Sequence, residues 1–126
     1  MNNKTIFALS TILGKSGVAV IRVSGEKALG VARSFGIKKE LEHQTIRKVT
    51  ITSPIDGAVI DQCMAAFFKG PNSFTGEDVL ELQTHGSIAV VKRILNELAE
   101  LEECRVADPG EFSRRAFMNS KMDLVM

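Results

Sequence analysis

The residues of this 126-residue chain whose types could do chemistry are charged groups set among apolar ones. Arg22 lies inside the run Val18 to Val23 and shares one strand face with Val18, Val20 and Ser24, so it either emerges at a sheet end or meets an anion. Glu81 alternates with Leu80 and Leu82 and shares its face with Gln83 and His85. That face can line a small polar pocket, although a carboxylate on a half-exposed strand is more commonly just solvated. Gly86-Ser87 opens a helix directly afterwards, and backbone amides at a helix start favour anions.

His85 could contact a ligand or transfer a proton. The preferred reading is structural, because no Ser or Cys nucleophile with a supporting acid can be assembled around it. Arg114-Arg115 reads as an exposed helix face rather than an anion clamp. Lys121 follows an expected helix end, where a cation suits the helix dipole, and its neighbours Asn119 and Asp123 leave a binding role open. Gly14-Lys15-Ser16-Gly17 suggests a phosphate loop, but such a loop needs a glycine where Leu9 stands, so that reading is rejected.

Composition bounds the rest. With 44% apolar and 25% charged residues the chain fits one globular domain, and a formal net charge of +1 supplies no broad basic footprint for nucleic acid or membrane. Cys63 and Cys104 are far apart in apolar contexts and form no zinc-type spacing with His43 or His85, which predicts buried reduced thiols. The start, Met1 to Thr5, has neither an apolar signal core nor an Arg-rich leader, so the cytoplasm is the expected compartment and no membrane partner is expected.

The elements that must position these residues follow from periodicity. Strands are expected over Thr5 to Ser10 and Val18 to Val23, then a helix capped by Ser24-Gly25, running to about Phe35 and stopped by Gly36. A strand near Ile46 to Thr52 should turn through Pro54 to Gly57 into Val59 to Phe68, whose nearly continuous apolar run suggests a central strand covered on both faces. The Gly70 to Ser73 turn leads into a strand from about Asp78 to Thr84. Ser87 then opens an amphipathic helix with Ile88, Val91, Leu95, Leu98 and Leu101 inward and Lys92, Arg93, Asn96, Glu97 and Glu100 outward. Asp108-Pro109-Gly110-Glu111 starts a last helix to about Asn119, with Phe112, Ala116 and Phe117 inward, and Ser120 to Met126 reads as a short tail. The expected class is α+β, a mixed β-sheet with packed helices.

Five ordered segments carry a family resemblance. They are Thr5-Ile6-Phe7-Ala8, Gly17 to Gly25, Pro71 to Asp78, Pro109 to Phe117, and Asn119 to Leu124. Over essentially its whole length the chain resembles the N-terminal domain of the tRNA-modification GTPases of the MnmE (TrmE) family. The resemblance implies a fold related to the tetrahydrofolate-binding module of the glycine-cleavage T-protein, with residues 1–119 as folate-binding and dimerisation domain and 120–126 leading towards helical and GTPase domains. It also implies a homodimer that binds a 5-formyl-tetrahydrofolate-type ligand, with Arg22, Glu81 and Lys121 as the folate contacts.

In the family the full protein works with the flavoprotein MnmG on the wobble uridine of tRNA, the folate supplying a one-carbon unit under control of GTP hydrolysis. GTP, Mg and K would act only through a GTPase domain whose signature does not occur in this sequence, so no catalytic or metal residues are assigned and the chain alone is expected not to hydrolyse GTP. Departures from the family pattern fall at Thr11 to Ser16, where a proline-rich loop is usual, and at Ser87, where a second glycine is usual. The alternatives are a dimerisation or docking module without independent folate binding and, disfavoured by the near-neutral charge, a direct tRNA binder.

Overall fold

The computed structural model describes the backbone of residues 4–13 and 17–125, with side chains described over 4–10 and 17–120. The elements are β1 (Thr5–Leu13), β2 (Val18–Ser24), α1 (Ala28–Ser34), β3 (Thr45–Thr52), β4 (Val59–Phe68), β5 (Val79–His85), α2 (Ile88–Ala99), β6 (Cys104–Val106) and α3 (Glu111–Val125). They form one six-stranded sheet of order β3-β4-β5-β2-β1-β6. Every pairing is antiparallel except β1 with β6, so the sheet is mixed and the class α+β.

Period-2 alternation divides the sheet into two unlike faces. Phe7, Ile21, Val23, Val49, Ile51, Cys63, Ala65, Phe67, Leu80 and Leu82 join Ala28, Val31, Ala32, Phe35, Ile94 and Leu98 in a single core, so α1 and α2 cover that face. Partners in an antiparallel ladder share a face. On the opposite face, register therefore sets Ala8, Arg22, Glu81, Ala66 and Ile46 in one row and Val20, Gln83, Met64 and Lys48 in the next. A third row, Ile6, Ser24, Val79 and Phe68, lies beneath the loop before β5.

Several expectations need correction. β1 runs on to Leu13, with a register shift between Leu9 and Thr11, and Gly14-Lys15-Ser16 lies outside the described residues. Ser24 does not cap α1: it ends β2, fully buried, and the helix starts at Ala28 without a side-chain cap. The stop at Gly36 holds, its φ of 81° being one that glycine adopts freely. β4 is an interior strand, but both of its faces are covered only over Ala65, Ala66 and Phe67, while Val59 and Met64 are exposed.

In α2 the inward residues are Val91, Ile94, Glu97 and Leu98. Ile88 is exposed and Glu97, expected outside, is buried, where it accepts hydrogen bonds from Ser53 Oγ at 2.5 Å and Arg93 Nε at 2.9 Å. A satisfied carboxylate thus stands in the stripe, which period alone could not reveal. The tail expected from Ser120 is helical instead, α3 continuing to Val125, and Phe117 faces outward. β6 was not anticipated at all, being only three residues long. Among the described residues no helix is long and apolar enough to cross a membrane.

Candidate functional site

The loop between β4 and β5 and the first turns of α3 decide how much of the polar sheet face stays open. Ser24 Oγ hydrogen-bonds Thr75 Oγ1 at 2.7 Å and donates to Glu77 Oε1 at 2.8 Å, while Gly70 N–H donates to Asp78 Oδ1 at 2.9 Å. Arg115 on α3 donates to both Glu77 oxygens at 3.0 and 3.1 Å and to the Lys4 carbonyl at 2.9 Å. Asn119 donates to the Thr75 carbonyl, and a Cβ at Gly76, whose φ is 82°, would sit 2.8 Å from Asn119 Cβ. Gly76 therefore serves close approach of loop and helix as well as the turn.

Glu111 completes this clamp. Arg105 donates to its two oxygens at 2.7 and 2.5 Å, the Asp108 amide donates at 2.9 Å, and Arg115 at 3.2 Å. Hydrogen bonding from Arg105, aided by the Asp108 amide and the charges of Arg105 and Arg115, holds its carboxyl down to about 2 against the opposing effect of burial. Arg115 is thus no exposed helix face: its side chain is only 13% exposed, whereas Arg114 beside it is 59% exposed. One arginine joins two acids there, Glu111 being buried where a lone charge would be costly and Glu77 half-buried.

At the border of the covered and open rows stand Arg22 and Glu81. They are direct register partners on β2 and β5, and Arg22 donates through Nε at 3.1 Å and Nη2 at 3.0 Å to the same oxygen, Glu81 Oε2. Glu81 Oε1 and Arg22 Nη1 make no hydrogen bond with the described residues. The guanidinium carbon lies 5.4 Å from the centre of the Phe74 ring and 5.9 Å from that of Phe112, within range of cation–π attraction. A donor and an acceptor therefore stand side by side, and two aromatic rings, one supplied by the loop and one by α3, lie near the donor.

The structure brings Arg22 and Glu81 together. Lys121 belongs to α3, two positions beyond Asn119, but its side chain lies outside the described residues. His85 meets Asp61: its Nδ1 is 2.7 Å from Asp61 Oδ1, and its backbone amide donates to Asp61 Oδ2 at 3.0 Å. Gly86 approaches the Gly17 backbone so closely that a Cβ would lie 3.0 Å from Gly17 C, and Ser87 caps α2 by accepting from the Val90 amide. Phe74 and Phe112 were missed as site residues. A single Phe inside a turn-rich polar loop was the available signal for Phe74; for Phe112, period pointed to the core.

Among the described residues no group of three or more His, Cys, Asp or Glu could hold a metal ion. Cys63 and Cys104 are free and buried, the thiols raised to about 12 and about 11 chiefly by burial. Neither is poised as a nucleophile.

Comparison with known proteins places this architecture. The family model described as the GTP-binding protein TrmE N-terminus matches residues 5–121. The chain belongs to this TrmE N-terminal family. Relatives named tRNA modification GTPase MnmE include one from Wolbachia sp. subsp. Drosophila simulans, 54% identical over 97% of this chain. Another from Orientia tsutsugamushi is 45% identical over the whole chain, and one from Anaplasma marginale is 51% identical over 95% of it. The chain spans only 27, 28 and 26% of the lengths of these three relatives. In this TrmE N-terminal domain residues 71–78, one of the segments that carry the resemblance, lie in the loop that the clamp fastens.

Proposed function

We propose that the open sheet face binds a reduced folate of the 5-formyl-tetrahydrofolate type, and that the chain is the folate-binding and dimerisation domain of a tRNA-modifying GTPase. The observation that carries this reading is the half-used Arg22–Glu81 pair: one oxygen of Glu81 is fixed by Arg22, and the other is left to accept from a ligand. The amino and ring N–H groups of a pterin are donors suited to Oε1, and its carbonyl is an acceptor suited to Arg22 Nη1. Phe74, 58% exposed, offers a ring to a flat heterocycle, and Lys121 is the third residue assigned to the ligand in this reading.

The chain's own part is recognition and orientation. Arg22 holds the carboxylate in place, so the ligand meets an acceptor that needs no reorganisation. In this reading the one-carbon unit of the folate goes to the wobble uridine of tRNA in concert with MnmG, and GTP turnover with Mg and K belongs to the remainder of a longer protein. Calorimetric titration of 5-formyl-tetrahydrofolate into the chain tests the reading. Saturable binding supports it, and no heat or displacement at millimolar ligand would end it.

A second reading, a dimerisation or docking module without independent folate binding, is favoured by the exposure of Phe117 (64%) and Met118 (53%) on α3. Sedimentation of the unliganded chain over a range of concentrations, beside Met118→Glu, tests dimerisation. Dissociation of the variant alone places the second copy on α3.

A further inference from the structure

We propose that the open sheet face carries a second, cationic subsite that receives the glutamyl tail of the folate, and that the chain favours polyglutamylated over monoglutamylated ligand. This rests on the folate reading. Two shallow cavities meet on this face and share Lys48 and Gln62 in their walls. One, of about 200 Å³, is lined by Gln83, Met64 and His85 next to the row of Glu81. The other, of about 440 Å³, runs to the sheet edge, where Lys38 and Lys39 stand on the connection after α1.

Lys38, Lys39 and Lys48 thus line the larger cavity together, and none of them makes an ion pair with any described residue. Of the acids nearby, Asp61 is held by His85 and Glu42 pairs with Arg47 at 3.7 Å, while Glu40 lines a neighbouring cavity on the α1 side together with Lys38 and Lys39 and forms no ion pair with either. Unpaired cations along a groove favour an extended anion over a compact one.

Register gives the trough its length. Lys48, Met64 and Gln83 lie in one row across β3, β4 and β5, and Glu81 is two residues from Gln83 along β5. Two strand spacings of about 4.8 Å and two residues of about 3.4 Å put the Lys48 backbone roughly 12 Å from that of Glu81. A pterin at Glu81 therefore has an aminobenzoyl-sized gap before the first cation, with polar Gln83 and Gln62 beside the path. Lys48 meets the carboxylates of the first glutamate, and Lys38 and Lys39 meet those of further γ-linked glutamates.

The test is titration of monoglutamyl and triglutamyl 5-formyl-tetrahydrofolate into the chain and into the Lys38→Ala/Lys39→Ala double variant at low and high salt. Both lysines are on the surface, so the variant keeps the core. Exposed pairs each contribute about twofold to fivefold, so the triglutamyl ligand should bind about tenfold tighter at low salt. That gain should fall below threefold in the double variant and in high salt. Equal affinities for the two ligands, or a gain that survives both lysine substitutions, would overturn the tail subsite and leave the folate reading standing. Failure of both ligands to bind would overturn both.

Discussion

Arg22 and Glu81, fifty-nine positions apart, face each other across β2 and β5 with Nη2 and Oε2 at 3.0 Å. The pair is a register partnership, so sheet pairing alone brings the groups together. With side chains 24 and 19% exposed, solvent screens it, and its stabilising coupling should be only about 0.5–1 kcal/mol. A double-mutant cycle with Arg22→Ala and Glu81→Ala, read by urea denaturation of the unliganded chain, measures it. A coupling above about 3 kcal/mol would mark the pair as a structural element instead.

Glu77 and Arg115 should behave differently. Their contact fastens the loop before β5 to α3, Arg115 is 13% exposed, and Ser24 shares the Glu77 carboxylate. Glu77→Ala removes one of two acids from Arg115 and strips Ser24 of an acceptor, a loss of about 2–3 kcal/mol. Exposed Glu26→Ala serves as the control and should stay within about 0.5 kcal/mol. Equal stability of the two variants would show that the loop is held without the clamp.

Glu111 makes stability depend on pH. Its carboxyl is held at about 2 in the folded chain, below the ordinary value of 4.5, chiefly by hydrogen bonds from Arg105. Between these values the unfolded chain binds more protons, so the contribution is fully present above about 4.5 and is lost as pH falls through about 2. The stability difference between wild type and Glu111→Gln should therefore shrink steadily across that window. A constant difference would contradict the assignment.

Both thiols should be inert in the native chain. Cys63 and Cys104 are 6 and 5% exposed and their thiols lie at about 12 and about 11, so almost no thiolate exists near neutrality. A disulfide reagent near pH 8 should label both at once in concentrated guanidinium and neither, on the same timescale, in buffer. Immediate labelling of either native thiol would refute the burial.

Strand positions and the polar face of β5 were legible in the sequence because alternation is a local signal: Leu80 and Leu82 sit in the core, with Glu81 and Gln83 opposite. What period could not carry is pairing. Nothing local tells that Glu97 finds Ser53, that Arg115 finds Glu77, or that Phe74 and Phe112 both approach Arg22. Charged residues were assigned outward by default, and Glu97 and Arg115 break that default because partners distant in sequence satisfy them inside. The end of α3 was misplaced because Ser120 to Met126 has no stop signal, which is as consistent with continuing helix as with a tail.

In the proposed reading Glu81, positioned by Arg22, recognises the ligand. Calorimetric titration of 5-formyl-tetrahydrofolate into wild type, Glu81→Ala and Arg22→Ala, each first shown to be folded, tests it most directly. Each substitution should weaken binding by about 1.5–3 kcal/mol, the scale of a hydrogen bond to a charged group. Undiminished affinity in both variants would contradict the account.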